Sequence, residues 1–168
     1  MKPPDLIKGA IAGLVATAPM TAVMLILHRL LPWHERYHLP PSQIVTVVEE
    51  KMDVSLDEPA HQVVTGLAHF SYGAAAGALY AIMTGRLSVP TLLKGTGFGL
   101  FVWLISYLGL LPAADILRPA TEHPARHNAL MIVAHIVWGA VTGLVADSLR
   151  QGIDYGRSGS RQYITVNQ

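Results

Sequence analysis

Eight histidines and no cysteine are the chemically distinctive feature of this chain of 168 residues. Neutral imidazole is a ligand for zinc, copper and iron, whereas the absence of cysteine excludes disulfides and thiolate sites. Two segments of similar sequence, 61–77 and 127–143, carry four of the histidines: His61, His69, His127 and His135. In both segments, steps of four residues read His, any residue, His, Gly, Gly, which places these side chains along one ridge of a helix.

This pattern predicts a binding site for a transition metal (Zn, Cu or Fe) or for haem b. The expected ligands are the four ridge histidines, His69, His135, His61 and His127. One imidazole from each of two facing helices would supply the two axial ligands of a haem. Accessory ligands are expected from the polar loops: His123, His34, His38 and Glu122. The sequence contains no nucleophile–base pair, phosphate-binding loop or carboxylate pair, so it does not favour an enzyme.

Two other interpretations of the histidines stay open. A small transporter or a proton-responsive membrane protein would use imidazoles that titrate near neutral pH. A structural or assembly protein without a ligand would use them only for hydrogen bonds to neighbouring helices. Close helix packing, rather than a cofactor, best explains the glycines of the two ridges: Gly73, Gly77, Gly139 and Gly143.

The composition is that of a membrane protein. Hydrophobic residues make up 51% of the chain and charged residues 14%, and the apolar residues are concentrated in four blocks. A helix needs about 20 apolar residues to cross roughly 30 Å of hydrocarbon. We therefore predict an all-α integral membrane four-helix bundle, a single domain with helices at about 7–31, 60–84, 91–111 and 128–149. The lipid bilayer is the expected partner and nucleic acid is not, because the basic residues form no patch. A homo-oligomer or a larger membrane complex is left open.

The predicted helices also suggest an internal repeat. The first and third begin alike, with LIKGAIAGLV at 6–15 and LLKGTGFGLF at 92–101. Because the second and fourth carry the two histidine ridges, the chain is interpreted as two tandem helix hairpins inserted in the same orientation. We expect the second and fourth helices to face each other along their glycine ridges.

The segments outside the four helices predict the orientation. An amphipathic segment at about 42–53 is expected to lie in the membrane interface or over the mouth of the bundle. The polar segment 150–168 is expected to be a flexible tail. The termini and the link between the second and third helices hold seven Lys/Arg against three acidic residues, whereas the two long loops hold five against eight. By the positive-inside rule both termini are cytoplasmic, and all eight histidines then lie in the outer half.

Three stretches, LAHFSYGAAAGALY, KGTGFGLFVWLISYLGLLP and AHIVWGAVTGL, resemble the YagU-like family of small bacterial inner-membrane proteins. The shared features are a histidine in the second helix, a glycine-rich start and Leu-Pro end of the third, and a histidine in the fourth. They correspond to His69, Gly95 with Gly99, Leu111-Pro112 and His135. The resemblance implies a multi-pass protein of the bacterial inner (plasma) membrane and no particular mechanism. It runs from the second helix onward and does not extend to His34 and His38.

Overall fold

The computed structural model describes the backbone of residues 3–36 and 38–165 and the side chains of residues 5–36 and 38–151. All the secondary structure within these ranges is helical. The helices are α1 (Pro3–Leu30), α2 (Pro40–Met52), α3 (Glu58–Thr84), α4 (Thr91–Ile105), α5 (Leu111–Ala113) and α6 (Ala125–Thr165). A π-helical segment, Ser106–Leu110, joins α4 to α5 without a break. Short 3-10 turns lie at Trp33–Glu35 and Ala120–Glu122.

Within the described residues, three helical segments are long and apolar enough to cross a membrane: Asp5–Leu30, Thr91–Ala113 and Ala125–Gln151. They correspond to the first, third and fourth predicted spans, and they indicate a membrane protein. α3 occupies the position of the second predicted span but is not among these segments. In α3, alanines, glycines, histidines and tyrosines replace many of the strongly apolar side chains that are found in the other three segments.

The long helices pack side by side in the order α3, α1, α6, α4. α1 packs along both α3 and α6, and α6 packs along α4, whereas α3 and α4 touch at few positions. α3 and α6 do not pack along each other. The prediction that the second and fourth helices face each other along their glycine ridges is therefore wrong.

The glycine ridges instead lie inside two helix pairs, α1 with α3 and α4 with α6. A Cβ atom on Gly13 would overlap the carbonyl oxygen of Gly73 and lie 2.8 Å from the Cα atom of Gly77. A Cβ atom on Gly139 would overlap the carbonyl oxygen of Gly95 and lie 2.9 Å from the Cα atom of Gly99. Such backbone contact is possible only where neither helix carries a side chain. Each ridge thus packs on the glycines that open α1 or α4.

Aromatic side chains connect the two pairs. The Trp138 indole of α6 donates a hydrogen bond from Nε1 to the carbonyl oxygen of Gly13 on α1, at 3.1 Å. Phe98 of α4 packs against Tyr80 with ring centroids 5.4 Å apart and against Trp138 at 6.1 Å. These rings fill the centre of the bundle, and Trp138 also lines the site described below.

The predicted amphipathic segment forms α2, which lies across the end of the bundle that carries the long loops. Lys51 on α2 donates to the carbonyl oxygen of Ala114 at 2.8 Å. The end of α6 differs from the prediction, because its backbone stays helical to Thr165. Residues 166–168 and the side chains after Gln151 lie outside the described residues, so the flexibility of the tail 150–168 stays a prediction.

Candidate functional site

An apolar cavity of about 350 Å³ lies between α1, α3, α6 and the junction of α4 with the π-helical segment. α2 covers it from the loop end through Pro40, Pro41 and Ile44. Small-molecule sites typically measure about 300–1,000 Å³. The described part of the wall contains no lysine, arginine, aspartate or glutamate. Its polar side chains are Thr17, His69, Tyr72, Ser106, Tyr107 and His135.

His135 is the most deeply placed polar ring of the cavity, with 5% of its surface exposed. Its Nδ1 atom lies 2.7 Å from the carbonyl oxygen of Met131, one turn earlier in α6. A carbonyl oxygen can only accept, so Nδ1 carries the proton, and Nε2 of the neutral ring is left as an acceptor. Tyr107 packs edge-on against this ring with centroids 5.8 Å apart.

His69 lies on the α3 side of the same cavity. Its Nε2 atom is 3.2 Å from Oγ1 of Thr21 on α1. The Thr21 hydroxyl donates its own proton to the carbonyl oxygen of Thr17 at 2.7 Å, so it accepts from His69. The neutral ring is therefore protonated at Nε2, and Nδ1 is its acceptor.

A side-chain hydrogen bond links α3 to the π-helical segment that follows α4. The Tyr72 hydroxyl of α3 lies 2.9 Å from Oγ of Ser106, and either atom can be the donor. Ser106 opens the π-helical segment, a distortion that is frequent at functional sites. This segment contributes Ser106, Tyr107 and Leu110 to the cavity wall.

The structure does not bring the four predicted ligands together. His61 holds α2 instead, with Nδ1 2.6 Å from Oε2 of Glu49 and Nε2 3.0 Å from Oγ of Ser42, so both ring nitrogens are engaged. His127 is buried at the loop end of α6 and stacks on His123, with ring centroids 5.2 Å apart. Only His69 and His135, of the four, line the cavity.

The other accessory candidates are dispersed. His34 and His38 are exposed in the first loop, where His34 lies 3.9 Å from Glu35. Glu122 is exposed in a 3-10 turn. In the described ranges, no group of three or more histidine or acidic side chains is placed to hold a metal ion. A metal or haem site on the predicted residues stays a prediction.

Glu49 is the anchor of α2 on the bundle. Its Oε1 atom accepts the backbone N–H of Leu56 at 2.7 Å, and its Oε2 atom accepts from His61. These hydrogen bonds favour the carboxylate, so they lower the pKa of Glu49. The Glu49 carboxylate therefore helps to hold α2 over the cavity, together with the bonds that Ser42 and Lys51 make.

Sequence reasoning did not assign Tyr107, Ser106 and Tyr72 to the site. The signal that could have found the first two is their position as adjacent polar side chains inside an otherwise apolar span. Tyr72 carried no such signal, because its role depends on where α4 lies relative to α3.

Comparison with known proteins gives a family and no function. No curated protein and no solved structure matches the chain. The model of a family described as a protein of unknown function, DUF1440, matches residues 34–144. This agrees with the predicted resemblance to an uncharacterised family, while the YagU-like name and a bacterial origin stay expectations. The matched region contains every cavity-lining residue except those of α1, and it covers well over half of the 168 residues. The chain therefore belongs to the DUF1440 family.

Proposed function

We propose that this protein is an integral membrane protein that binds a small, mainly apolar molecule in the cavity. The observation that carries the proposal is an internal space of about 350 Å³ whose wall is apolar apart from a few neutral hydrogen-bonding groups. A charged ligand would lose its hydration there without meeting an opposite charge. A molecule dissolved in the bilayer would enter between α3 and α4, which are neighbours with sparse contact.

We propose further that α3 is a fourth membrane span. It has 27 residues, enough to cross the hydrocarbon, and a helix satisfies its own backbone groups there. Apolar side chains on its outer surface are exposed: Val63, Val64, Leu67, Leu79, Ile82 and Met83. In this arrangement α1–α3 and α4–α6 are two hairpins inserted the same way round, with both termini in the cytoplasm. The bacterial inner membrane is the proposed location.

Binding of an apolar probe tests the proposed function. Butylbenzene should bind the detergent-solubilised protein at one molecule per chain, measured by isothermal titration calorimetry, and should raise the melting temperature. Ala76→Phe should abolish both effects, because Ala76 lines the cavity and its new ring occupies the space. Ala68→Phe, at a more exposed position of the wall, serves as a second blocking variant.

Ala75→Phe is the matched control for Ala76→Phe. Ala75 is the preceding residue of the same helix, is exposed and does not line the cavity. The Ala75→Phe variant should bind butylbenzene as the parent does. Equal isotherms for the parent and both blocking variants would contradict the proposal, because they would place the probe on the outer surface or in the micelle.

A metal or haem protein is the second candidate function. It is favoured by the presence of His69 and His135 on two different helices around one cavity, each with one ring nitrogen free of a proton. That unprotonated nitrogen can coordinate a metal ion or a haem iron through its lone pair. His61 is not expected to contribute, since both of its ring nitrogens bond α2.

Metal analysis and absorption spectroscopy test this second candidate. After incubation with Zn, Cu, Fe or haem b and removal of the excess, the parent should retain a stoichiometric ion or show a Soret band. The double variant His69→Leu, His135→Leu should retain neither while the helices still assemble, because leucine suits an apolar interior. Equal retention by the parent and the double variant would contradict a site at these histidines.

A further inference from the structure

We infer that the molecule bound in the cavity is a lipid-soluble alcohol or phenol whose hydroxyl group lies between His135 and Tyr107. The inference rests on the proposed function and names its ligand class. It follows from the hydrogen-bonding groups of two adjacent rings in the cavity wall, His135 and Tyr107.

His135 supplies an acceptor. Its Nδ1 proton is used by the carbonyl oxygen of Met131, and no partner of Nε2 is seen within the part of the chain that the structure describes. An acceptor in the wall of an apolar cavity gains a hydrogen bond when a ligand donates to it, so a ligand that donates to Nε2 gains affinity. A ketone, an ester or an ether cannot make this bond, because each has only acceptor oxygens.

Tyr107 supplies a donor in the same cavity wall, on a ring that packs against the His135 ring. Its ring contacts the His135 ring, and 7% of its surface is exposed. Its hydroxyl makes no hydrogen bond to any of the described residues, whereas the Tyr72 hydroxyl in the same wall already pairs with Ser106. A phenolic O–H donates as well as accepts.

A ligand hydroxyl satisfies both groups at once. It donates its proton to Nε2 of His135 and accepts the proton of the Tyr107 hydroxyl. A carboxylate or an ammonium group would enter a wall without an opposite charge and would pay the cost of desolvation. A simple hydrocarbon would fit the space and leave both polar groups unpaired.

The rest of the wall suits an apolar body of variable shape. Three methionines line it, Met20 and Met24 from α1 and Met131 from α6. Unbranched and flexible thioether side chains adapt to ligands that differ in outline. The cavity therefore specifies the hydroxyl group more sharply than the carbon skeleton attached to it.

Three probes with one carbon skeleton test the inference: para-butylphenol, its methyl ether para-butylanisole, and butylbenzene. Binding to the purified protein is measured by calorimetry, with Ala76→Phe to define binding in the cavity. The parent should bind the phenol about tenfold more tightly than the ether, since only the phenol pairs with His135. His135→Leu and Tyr107→Phe should each reduce that preference to within about twofold.

Matched variants separate this effect from a general loosening of the bundle. His127→Leu removes a buried histidine outside the cavity wall, and Tyr80→Phe removes a buried hydroxyl outside it. Both should keep the tenfold preference. Tyr107→Phe preserves the aromatic ring, so it keeps the test decisive if His135→Leu does not fold.

The outcomes distinguish the inference from the proposed function. If butylbenzene binds equally to the parent and to Ala76→Phe, the cavity is not a site and both fall. If butylbenzene binds in the cavity and the phenol binds no more tightly than the ether, the ligand class is wrong and the proposed function stands. The ligand class is also wrong if the phenol preference survives in both His135→Leu and Tyr107→Phe.

Discussion

The three glycines of α4, Gly95, Gly97 and Gly99, show how a single atom controls helix packing. Gly95 and Gly99 face the backbone of α6, whereas a Cβ atom on Gly97 would meet nothing within 4 Å. The same residue type therefore permits close approach at two positions and only lowers helix stability at the third. Sequence alone shows the three glycines as one Gly-rich segment, since their facing partners belong to a distant part of the chain.

Alanine substitution should separate these roles. Gly139→Ala should destabilise the protein by about 1–3 kcal/mol, because its Cβ atom overlaps the carbonyl oxygen of Gly95 and the helices must separate. Gly97→Ala should be neutral or stabilising by up to about 1 kcal/mol, since alanine favours a helix more than glycine does. The free energy of unfolding of each variant is measured by titration with sodium dodecyl sulfate in mixed micelles. Equal stability of the two variants would contradict the α4–α6 packing.

Some of the histidine positions can be predicted from residue type and spacing, and others cannot. His69 and His135 could be identified from the sequence, because a polar ring inside an apolar span is conspicuous. The different place of His61 could not be predicted, since its partners Ser42 and Glu49 meet it only after α2 folds back over α3. Identical spacing in the two histidine ridges therefore does not imply identical surroundings.

At the level of elements, α2 and its contact with α3 carry the main pH dependence that we expect. The pKa of Glu49 is lower in the folded protein than in the unfolded chain, through the hydrogen bonds from Leu56 and His61. A carboxylate with a depressed pKa contributes stability above its unfolded pKa and loses it as the pH falls through the folded value. The Ser42 hydroxyl can accept as well as donate, so His61 keeps its bond to Ser42 when it is protonated.

We therefore expect α2 to loosen in acid. Protection factors of its backbone amides, from hydrogen–deuterium exchange, should fall as the pH drops into and below the usual titration range of carboxylates. Glu49→Gln should show low protection already at neutral pH and little further change. Protection of α2 in the parent that is constant from neutral pH down to about pH 3 would contradict the role of Glu49.

Helix pairing was the element-level feature that the sequence could not specify. The helices themselves are predictable, because long apolar blocks bounded by prolines and charges mark them well. Their neighbours are not, since the glycines of α3 and α6 fit equally well against each other or against those of α1 and α4. The structure selects the second arrangement, and α1 becomes the helix that joins the two pairs.

For the whole molecule, the proposed four spans predict a definite topology. Reporter fusions after Arg86 and after the C-terminus should both report the cytoplasm, and fusions after Glu50 and Glu122 should both report the opposite side. The reason is that an even number of spans separates the first two sites from each other. If the fusions after Glu50 and Arg86 report the same side, α3 does not cross the membrane.

We propose above that the bundle holds an apolar cavity which takes up a small molecule. The most direct measurement is the anomalous scattering of bromine in crystals of the protein soaked with para-bromobutylbenzene. We expect a bromine peak inside the cavity, among the side chains of Met131, Tyr107 and His135, and no such peak in crystals of Ala76→Phe. Bromine peaks confined to the outer apolar surface of the helices in the parent would contradict it.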